Sequence, residues 1–127
     1  MTEREMQRMK AFWNDCGSGV TSAVGKEVDL HEAGQLWADL SGVEGNFFGL
    51  IDEQDRTIQF YFENGIPNEV EDARHLRIVL MDFADVDNDG SHVRRVTIGE
   101  VQGLIETAFQ VGADPRQFSG LQFESWL

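Results

Sequence analysis

Residues 46–63 read NFFGLIDEQDRTIQFYFE, and this stretch decides the fold. Two runs rich in aromatic and β-branched residues flank a polar segment at residues 52–55. Such side chains suit a pleated surface, and a short polar segment between two such runs is typical of a chain reversal. The stretch therefore predicts a β-hairpin at the middle of an antiparallel sheet, and it contains no catalytic motif.

The segment before the hairpin holds the first predicted helix. Asp29 can cap a helix that begins at Leu30, and Glu32 completes a capping-box-like pair. Apolar side chains then recur at i, i+3, i+4 and i+7, which makes one buried stripe. This stripe consists of Ala33, Leu36, Trp37 and Leu40. We expect the helix to end near residues 41–42.

The chain upstream of this helix has weaker patterns, and we expect residues 1–5 to be frayed. Residues 6–13 partly alternate and predict a strand, with a short amphipathic helix as the alternative. Residues 14–19 have the composition of a loop. Residues 20–28 could hold a short strand that Gly25 weakens.

Downstream of the hairpin the sequence predicts two strands and a second helix. Residues 75–83 and 92–96 read as strands around a polar loop, although the acidic lead-in at 69–72 leaves a helix possible. Thr97 and Glu100 form a T-x-x-E capping box, and an apolar stripe follows it up to a stop at Gly112 and Pro115. The apolar residues after Pro115 should pack back onto the sheet or a helix. We therefore predict one α+β domain, residues 1–127, with an antiparallel sheet of about five strands and two main helices.

Charge is the strongest compositional signal. Ten Lys and Arg residues against 23 Asp and Glu residues give a net charge of −13. Such a field repels nucleic acid and anionic lipid and attracts a basic protein, although solubility alone would also explain it. We expect neither a nucleic-acid nor a membrane partner. With one cysteine, no secretory signal and no apolar run near the ~20 residues of a membrane span, we expect a cytoplasmic protein.

Residues 85–90 read DVDNDG and match the first half of a calcium loop. The position of the bidentate glutamate is occupied by Val96, so the second half fails. A weak calcium-binding module is one alternative, beside an ordinary turn rich in Asp and Asn. We expect no metal site and no cofactor.

The remaining reactive side chains form no motif. His31, His75 and His92 share no ligand spacing, and Cys16 has no histidine nearby in sequence. We expect no catalytic residue and no enzyme. A small cytoplasmic enzyme or ligand-binding domain of unknown substrate, with a site assembled from Asp, His and Cys16, is the alternative.

Acidic residues concentrate between residues 52 and 89, where eleven acids and three arginines give a charge of −8. Many lie in predicted turns, and turns at one end of a sheet can converge into an acidic rim. Several separate solvated loops are the alternative. The candidate partner-binding residues are Asp52, Glu53, Asp55, Asp82, Asp85, Asp87 and Asp89.

A family resemblance rests on five groups of residues: Phe48 to Phe62, Val96-Thr97 with Glu100, Ala108-Phe109, Pro115-Arg116-Gln117-Phe118, and Leu121 with Trp126. With these residues in this order, the chain resembles small immunity proteins of bacterial polymorphic-toxin systems, in particular the group paired with deaminase-type toxins. The resemblance covers about the C-terminal two-thirds of the chain. It implies a protein that is not an enzyme and that binds a cognate toxin domain, blocking its active site or substrate entry. An acidic protein can occupy the basic groove of a toxin that acts on nucleic acid.

Overall fold

The computed structural model describes residues 6–127, so the expectation of a frayed segment 1–5 lies outside the described residues. Within this range the chain forms an eight-stranded antiparallel sheet with three α-helices. The strands are β1 Met9–Asp15, β2 Ser18–Val20, β3 Lys26–Val28, β4 Phe47–Ile51, β5 Thr57–Phe62, β6 Val79–Asp85, β7 Gly90–Val96 and β8 Gln122–Ser125. The helices are α1 Leu30–Asp39, α2 Val70–Ala73 and α3 Ile98–Val111. The α+β class is confirmed.

The predicted hairpin lies at the centre of the sheet. The strand order is β2-β1-β4-β5-β6-β7-β8, and β3 also pairs with β1. In the hairpin Phe48 lies opposite Phe60 and Leu50 opposite Ile58, so large apolar side chains meet across the two strands. All four side chains are buried, because this face of the sheet carries the helices.

The two long helices begin at the caps that the sequence predicts. The Asp29 side chain accepts a hydrogen bond from the Glu32 backbone N–H at 2.8 Å. Thr97 and Glu100 form a complete capping box at the start of α3. On the sheet, the Trp37 ring of α1 stacks on Phe62 with centroids 5.2 Å apart. Both helices therefore hold the core against the same face.

The expectation of about five strands is wrong, because β2 and β8 lie mostly in segments predicted as a loop and a tail, whereas β3 is the short strand allowed within residues 20–28. Strands β2 and β3 have three residues each, and β2 contains Gly19 at a φ of 152°. Strand β8 is exposed along its whole length, so its burial does not alternate. The predicted loop at 14–19 thus contains the end of β1 and most of β2. The predicted tail packing is confirmed for Phe118 and Leu121, which pack against the core, with the ring centroids of Phe118 and Phe83 4.9 Å apart. Phe123, Trp126 and Leu127 remain exposed.

The opposite face of the sheet lies outside the core cluster and is partly open to solvent. We call it the open face. By strand alternation it carries Phe47, Tyr61 and Leu80, each half-buried. Gly49 lies in its middle, where a Cβ atom would overlap the ring of Phe12. The glycine therefore allows Phe12 to lie flat across β4.

Candidate functional site

Two acidic turns lie at the same end of the sheet. Strand β5 begins beside the end of β6, since Ile58 lies opposite Phe83 in an antiparallel pair. The β4–β5 turn and the β6–β7 turn therefore meet, and Asp55 and Asp87 line the same open groove of about 420 Å³. We call this region the acidic end. Its exposed or half-exposed carboxylates belong to Glu53, Asp55, Asp85, Asp87 and Asp89.

Four of these acids are exposed, and one of them, Glu53, accepts a hydrogen bond from the Arg8 backbone N–H at 3.3 Å. Within residues 6–127, Glu53, Asp55, Asp87 and Asp89 make no ion pair with a lysine, arginine or histidine. The backbones of Asp55 and Asp89 adopt positive φ angles of 60° and 50°, which aspartate tolerates better than most residues. Because they are exposed and make no ion pair among the described residues, the carboxylates of Asp55, Asp87 and Asp89 are available to a cationic partner.

Asp85 is fixed by Asn88 of the same turn and by His92 of β7. Its Oδ2 accepts a hydrogen bond from Asn88 Nδ2 at 2.9 Å and lies 3.0 Å from His92 Nε2. The hydrogen bond from Asn88, followed by that from His92, holds the pKa of Asp85 below its ordinary value. Asp85 therefore carries its negative charge throughout the neutral pH range.

Asp52, another candidate for partner binding, lies in the interior. Its side chain is 0% exposed. The carboxylate accepts hydrogen bonds at 2.9 Å from the backbone N–H groups of Gln54, Arg56 and Ala113, and from Arg56 Nε. All of its hydrogen-bonding capacity is used within the chain. Asp52 therefore stabilises the β4–β5 turn and does not present its charge to a partner.

Asp82 lies on the open face, in the middle of β6, opposite Gln59 and Val93. Burial raises its pKa, a hydrogen bond from the Ser91 side chain opposes that effect, and the nearby charge of Glu124 raises the pKa further. Its surroundings differ from those of the acidic end. The structure therefore does not place Asp82 among the exposed turn acids.

Two arginines also line the groove of the acidic end. Arg56 Nη1 lies 3.5 Å from Asp114, and Arg116 pairs with the same carboxylate through two contacts of 3.1 Å. The hydrogen bonds from Arg116 are the main reason that the pKa of Asp114 is lowered. The Arg116 side chain is 82% exposed, so the groove is mixed in charge. Sequence reasoning missed Arg116 because it follows Asp55 by some sixty positions.

The segment at 85–90 does not assemble as a calcium loop. Among the described residues, no group of three or more His, Cys, Asp or Glu side chains is placed to hold a metal ion. Residues 86–88 form a short 3₁₀ turn, and the Asp85 carboxylate contacts Asn88 and His92. Gly90 belongs to β7, where a Cβ atom would overlap Phe123 of β8. The glycine is required by close strand packing.

The alternative site built from Cys16 and a histidine does not assemble around His92. Cys16 is exposed in the turn after β1, and its N–H donates to Asn46 Oδ1 at 2.9 Å. His92 lies on β7, and β4, β5 and β6 separate this strand from β1. Four strand spacings of about 4.8 Å put the two residues roughly 19 Å apart across the sheet alone.

Comparison with known proteins gives no relative for this chain. No helix within the described range combines the length and the apolar composition needed to cross a membrane. No protein-family model, no curated protein and no solved structure matches the sequence.

Proposed function

We propose that this chain is an acidic inhibitor that binds and blocks a basic partner, as an immunity protein does for a bacterial toxin domain that acts on nucleic acid. The observation that carries the proposal is the acidic end. Carboxylates from two separate turns lie there on one exposed surface, and four of them have no ion pair among the described residues. The net charge of −13 has the same sign as this surface.

Charge complementarity explains how such a surface would select its partner. A protein that acts on nucleic acid needs a positively charged groove for the phosphate backbone, and exposed carboxylates can occupy that groove. The attraction raises the association rate above the ordinary ~10⁵–10⁶ M⁻¹s⁻¹ and decreases with salt. The acidic end would therefore steer the encounter and compete with nucleic acid for one site.

Apolar contacts beside the acids would supply affinity, because anchors buried at an interface contribute more than charges at its rim. Val86 lies in the β6–β7 turn and is 72% exposed. Phe123, on the neighbouring β8, is 48% exposed. An interface that covers the acidic end would bury both side chains.

The proposed role requires no catalytic residue. Binding in the cytoplasm would protect the producing cell by covering the active site of the toxin or its substrate entry. The distance between Cys16 and His92 supports this interpretation over an enzyme built from those two groups.

The experiment that tests the proposal is capture followed by reconstitution. The tagged chain is incubated with a lysate of the encoding cell at low salt, and bound proteins are eluted with rising salt and identified by mass spectrometry. A basic protein recovered at one-to-one stoichiometry is then purified, and its activity on DNA and RNA is measured. Loss of that activity on addition of one equivalent of the chain supports the proposal. Failure to capture a basic partner, or an active partner in the complex, contradicts it.

A further inference from the structure

Strand β8 closes one side of the sheet and leaves a backbone edge open. It pairs with β7 on its inner side, and no strand among the described residues pairs with its outer side. All four of its residues, Gln122–Ser125, are exposed. An open edge presents unpaired N–H and C=O groups and is a template for a further strand.

The register identifies which backbone groups face outward. The Trp126 N–H donates to the Asp89 carbonyl at 2.8 Å, and the two residues lie opposite each other just beyond the Gly90–Ser125 pair, so they occupy a hydrogen-bonded position of the ladder. Hydrogen-bonded and non-bonded pairs alternate along an antiparallel ladder. Glu124 and Gln122 therefore direct their backbone groups toward β7. Phe123 and Ser125 direct theirs to the open edge.

The other side of the sheet is better protected. There β1 is covered by two strands of three residues each, and one of them carries Lys26. Strand β8 is also short, but it differs from this edge in its charge, because a lysine on an edge strand hinders the addition of a further strand. Strand β8 has neither lysine nor proline, and exposed aromatic side chains accompany it at Phe123 and Trp126.

The charge around β8 identifies the occupant. Glu124 lies on β8 itself, and its charge contributes to the raised pKa of Asp82. Asp89 lies opposite Trp126, just beyond the end of β8, and is exposed. With −13 charges on each copy, pairing of two such edges from the same protein would be opposed by repulsion. An extended segment that carries lysine or arginine would instead be attracted to this edge by its acidic side chains.

We infer that the outer edge of β8 accepts an extended basic segment of the partner protein as a ninth strand of the sheet. Backbone hydrogen bonds would form at Phe123 and Ser125, and basic side chains on one face of the segment would lie beside Glu124. Strand addition of this type gives affinity through the backbone and specificity through alternate side chains. The inference relies on the proposed function for the charge of the partner.

The test uses the full chain and a synthetic peptide of alternating lysine and valine, with a glutamate–valine peptide as control. Backbone amide exchange is followed by NMR. We expect the lysine peptide to protect the N–H groups of Phe123 and Ser125 and the glutamate peptide to leave them unprotected. Absence of protection at these two amides overturns the inference. Protection that appears without peptide and rises with protein concentration also overturns it, because it identifies a second copy as the occupant.

Two variants of Ser125 distinguish backbone hydrogen bonding at the edge from a contribution of the serine side chain. Ser125→Pro removes an outward N–H and leaves the β7–β8 hydrogen bonds intact, whereas Ser125→Ala keeps the N–H. Loss of one backbone bond should weaken the lysine peptide about tenfold in the proline variant, with little change in the alanine variant. Equal affinity of the two variants overturns the inference.

If Ser125→Pro does not fold, Glu124→Lys replaces it, because an exposed charge does not alter the backbone. This variant should lose affinity for the lysine peptide and gain affinity for the glutamate peptide, and unchanged preference overturns the inference. Failure of strand addition leaves the inhibitor proposal standing, since that proposal depends on capture and inhibition. Peptide binding at β8 without a captured toxin would instead support strand addition and contradict the inhibitor proposal.

Discussion

The Asp52 carboxylate accepts a hydrogen bond from the backbone N–H of Ala113 at 2.9 Å, although the two residues are 61 positions apart. This contact ties the turn of the central hairpin to the chain just after α3. The same carboxylate pairs with Arg56 Nε at 2.9 Å. Asp52 therefore fixes the position of the β4–β5 turn relative to the end of α3.

Replacement of Asp52 by alanine should lower the free energy of unfolding by about 3 kcal/mol, because Arg56 and the Ala113 N–H lose a charged partner in the interior. Denaturant unfolding measures the loss. Asp55→Asn is the matched control, since it changes the charge of the same turn at an exposed position and asparagine tolerates the positive φ of 60°. Equal destabilisation by the two variants would show that Asp52 has no special structural role.

Two glycines predict opposite effects of the same substitution. A methyl group at Gly49 would overlap the Phe12 ring, so Gly49→Ala should cost about 2 kcal/mol through overpacking. Around Gly103, in α3, no atom of residues 6–127 lies within 4 Å of an added Cβ. Gly103→Ala should stabilise the protein by up to ~1 kcal/mol, because alanine has the higher helix propensity. Thermal unfolding distinguishes the two, and a stable Gly49→Ala protein would mean that Phe12 moves freely.

The elements that could be predicted from sequence are those whose signals are local. The alternation in residues 46–63 and the pair Thr97 with Glu100 are read from neighbouring side chains, and the structure contains the hairpin and the capping box. Strand β8 could not be predicted, because its pairing partner determines it and its exposed residues do not alternate in burial. The fold class depends on the local signals and the strand count on the non-local ones.

The same distinction applies to the candidate site. The composition of the turns showed that Glu53, Asp55 and Asp87 would be exposed acids. It could not show that Asp52, one position before Glu53, turns inward, because its partner Ala113 is distant in sequence. The acidic residues of a turn divide between structure and surface according to contacts that only the folded chain brings together.

The pKa of Asp85 should be the most sensitive local probe of the β6–β7 turn. Its folded-state pKa lies below the ordinary 3.8, so the turn contributes stability above that pH and loses it as pH falls through the lower, folded-state value. Asn88→Ala removes the largest cause, and NMR titration should show the Asp85 pKa rising toward 3.8. Asn64→Ala, at an exposed loop position, serves as control. An unchanged pKa in Asn88→Ala would assign the shift to His92.

Asp82 should behave in the opposite sense. Burial raises its folded-state pKa above 3.8, so the folded state binds the proton more tightly than the unfolded state does. Stability therefore falls as the pH rises from 3.8 through the folded-state pKa. Asp82→Asn removes the charge and should stabilise the protein at pH 7, by well under ~1 kcal/mol because solvent screens this half-buried carboxylate, with the difference disappearing at acid pH. Denaturant unfolding at several pH values measures this. A variant that is less stable at pH 7 would show that the ionised carboxylate is favourably bonded.

Reversal of charge at the acidic end should weaken the proposed complex more than reversal elsewhere. The variant Glu53→Lys, Asp55→Lys and Asp87→Lys changes the charge by six units at one end of the sheet. A control variant with Asp39→Lys, Glu44→Lys and Glu69→Lys makes the same change in exposed residues near the other end. Because contact charges act mainly on association, we expect the first variant to bind the captured partner more slowly, with a flatter dependence on salt, and the control to lose less. Equal losses in both variants would mean that net charge, rather than the acidic end, determines recognition.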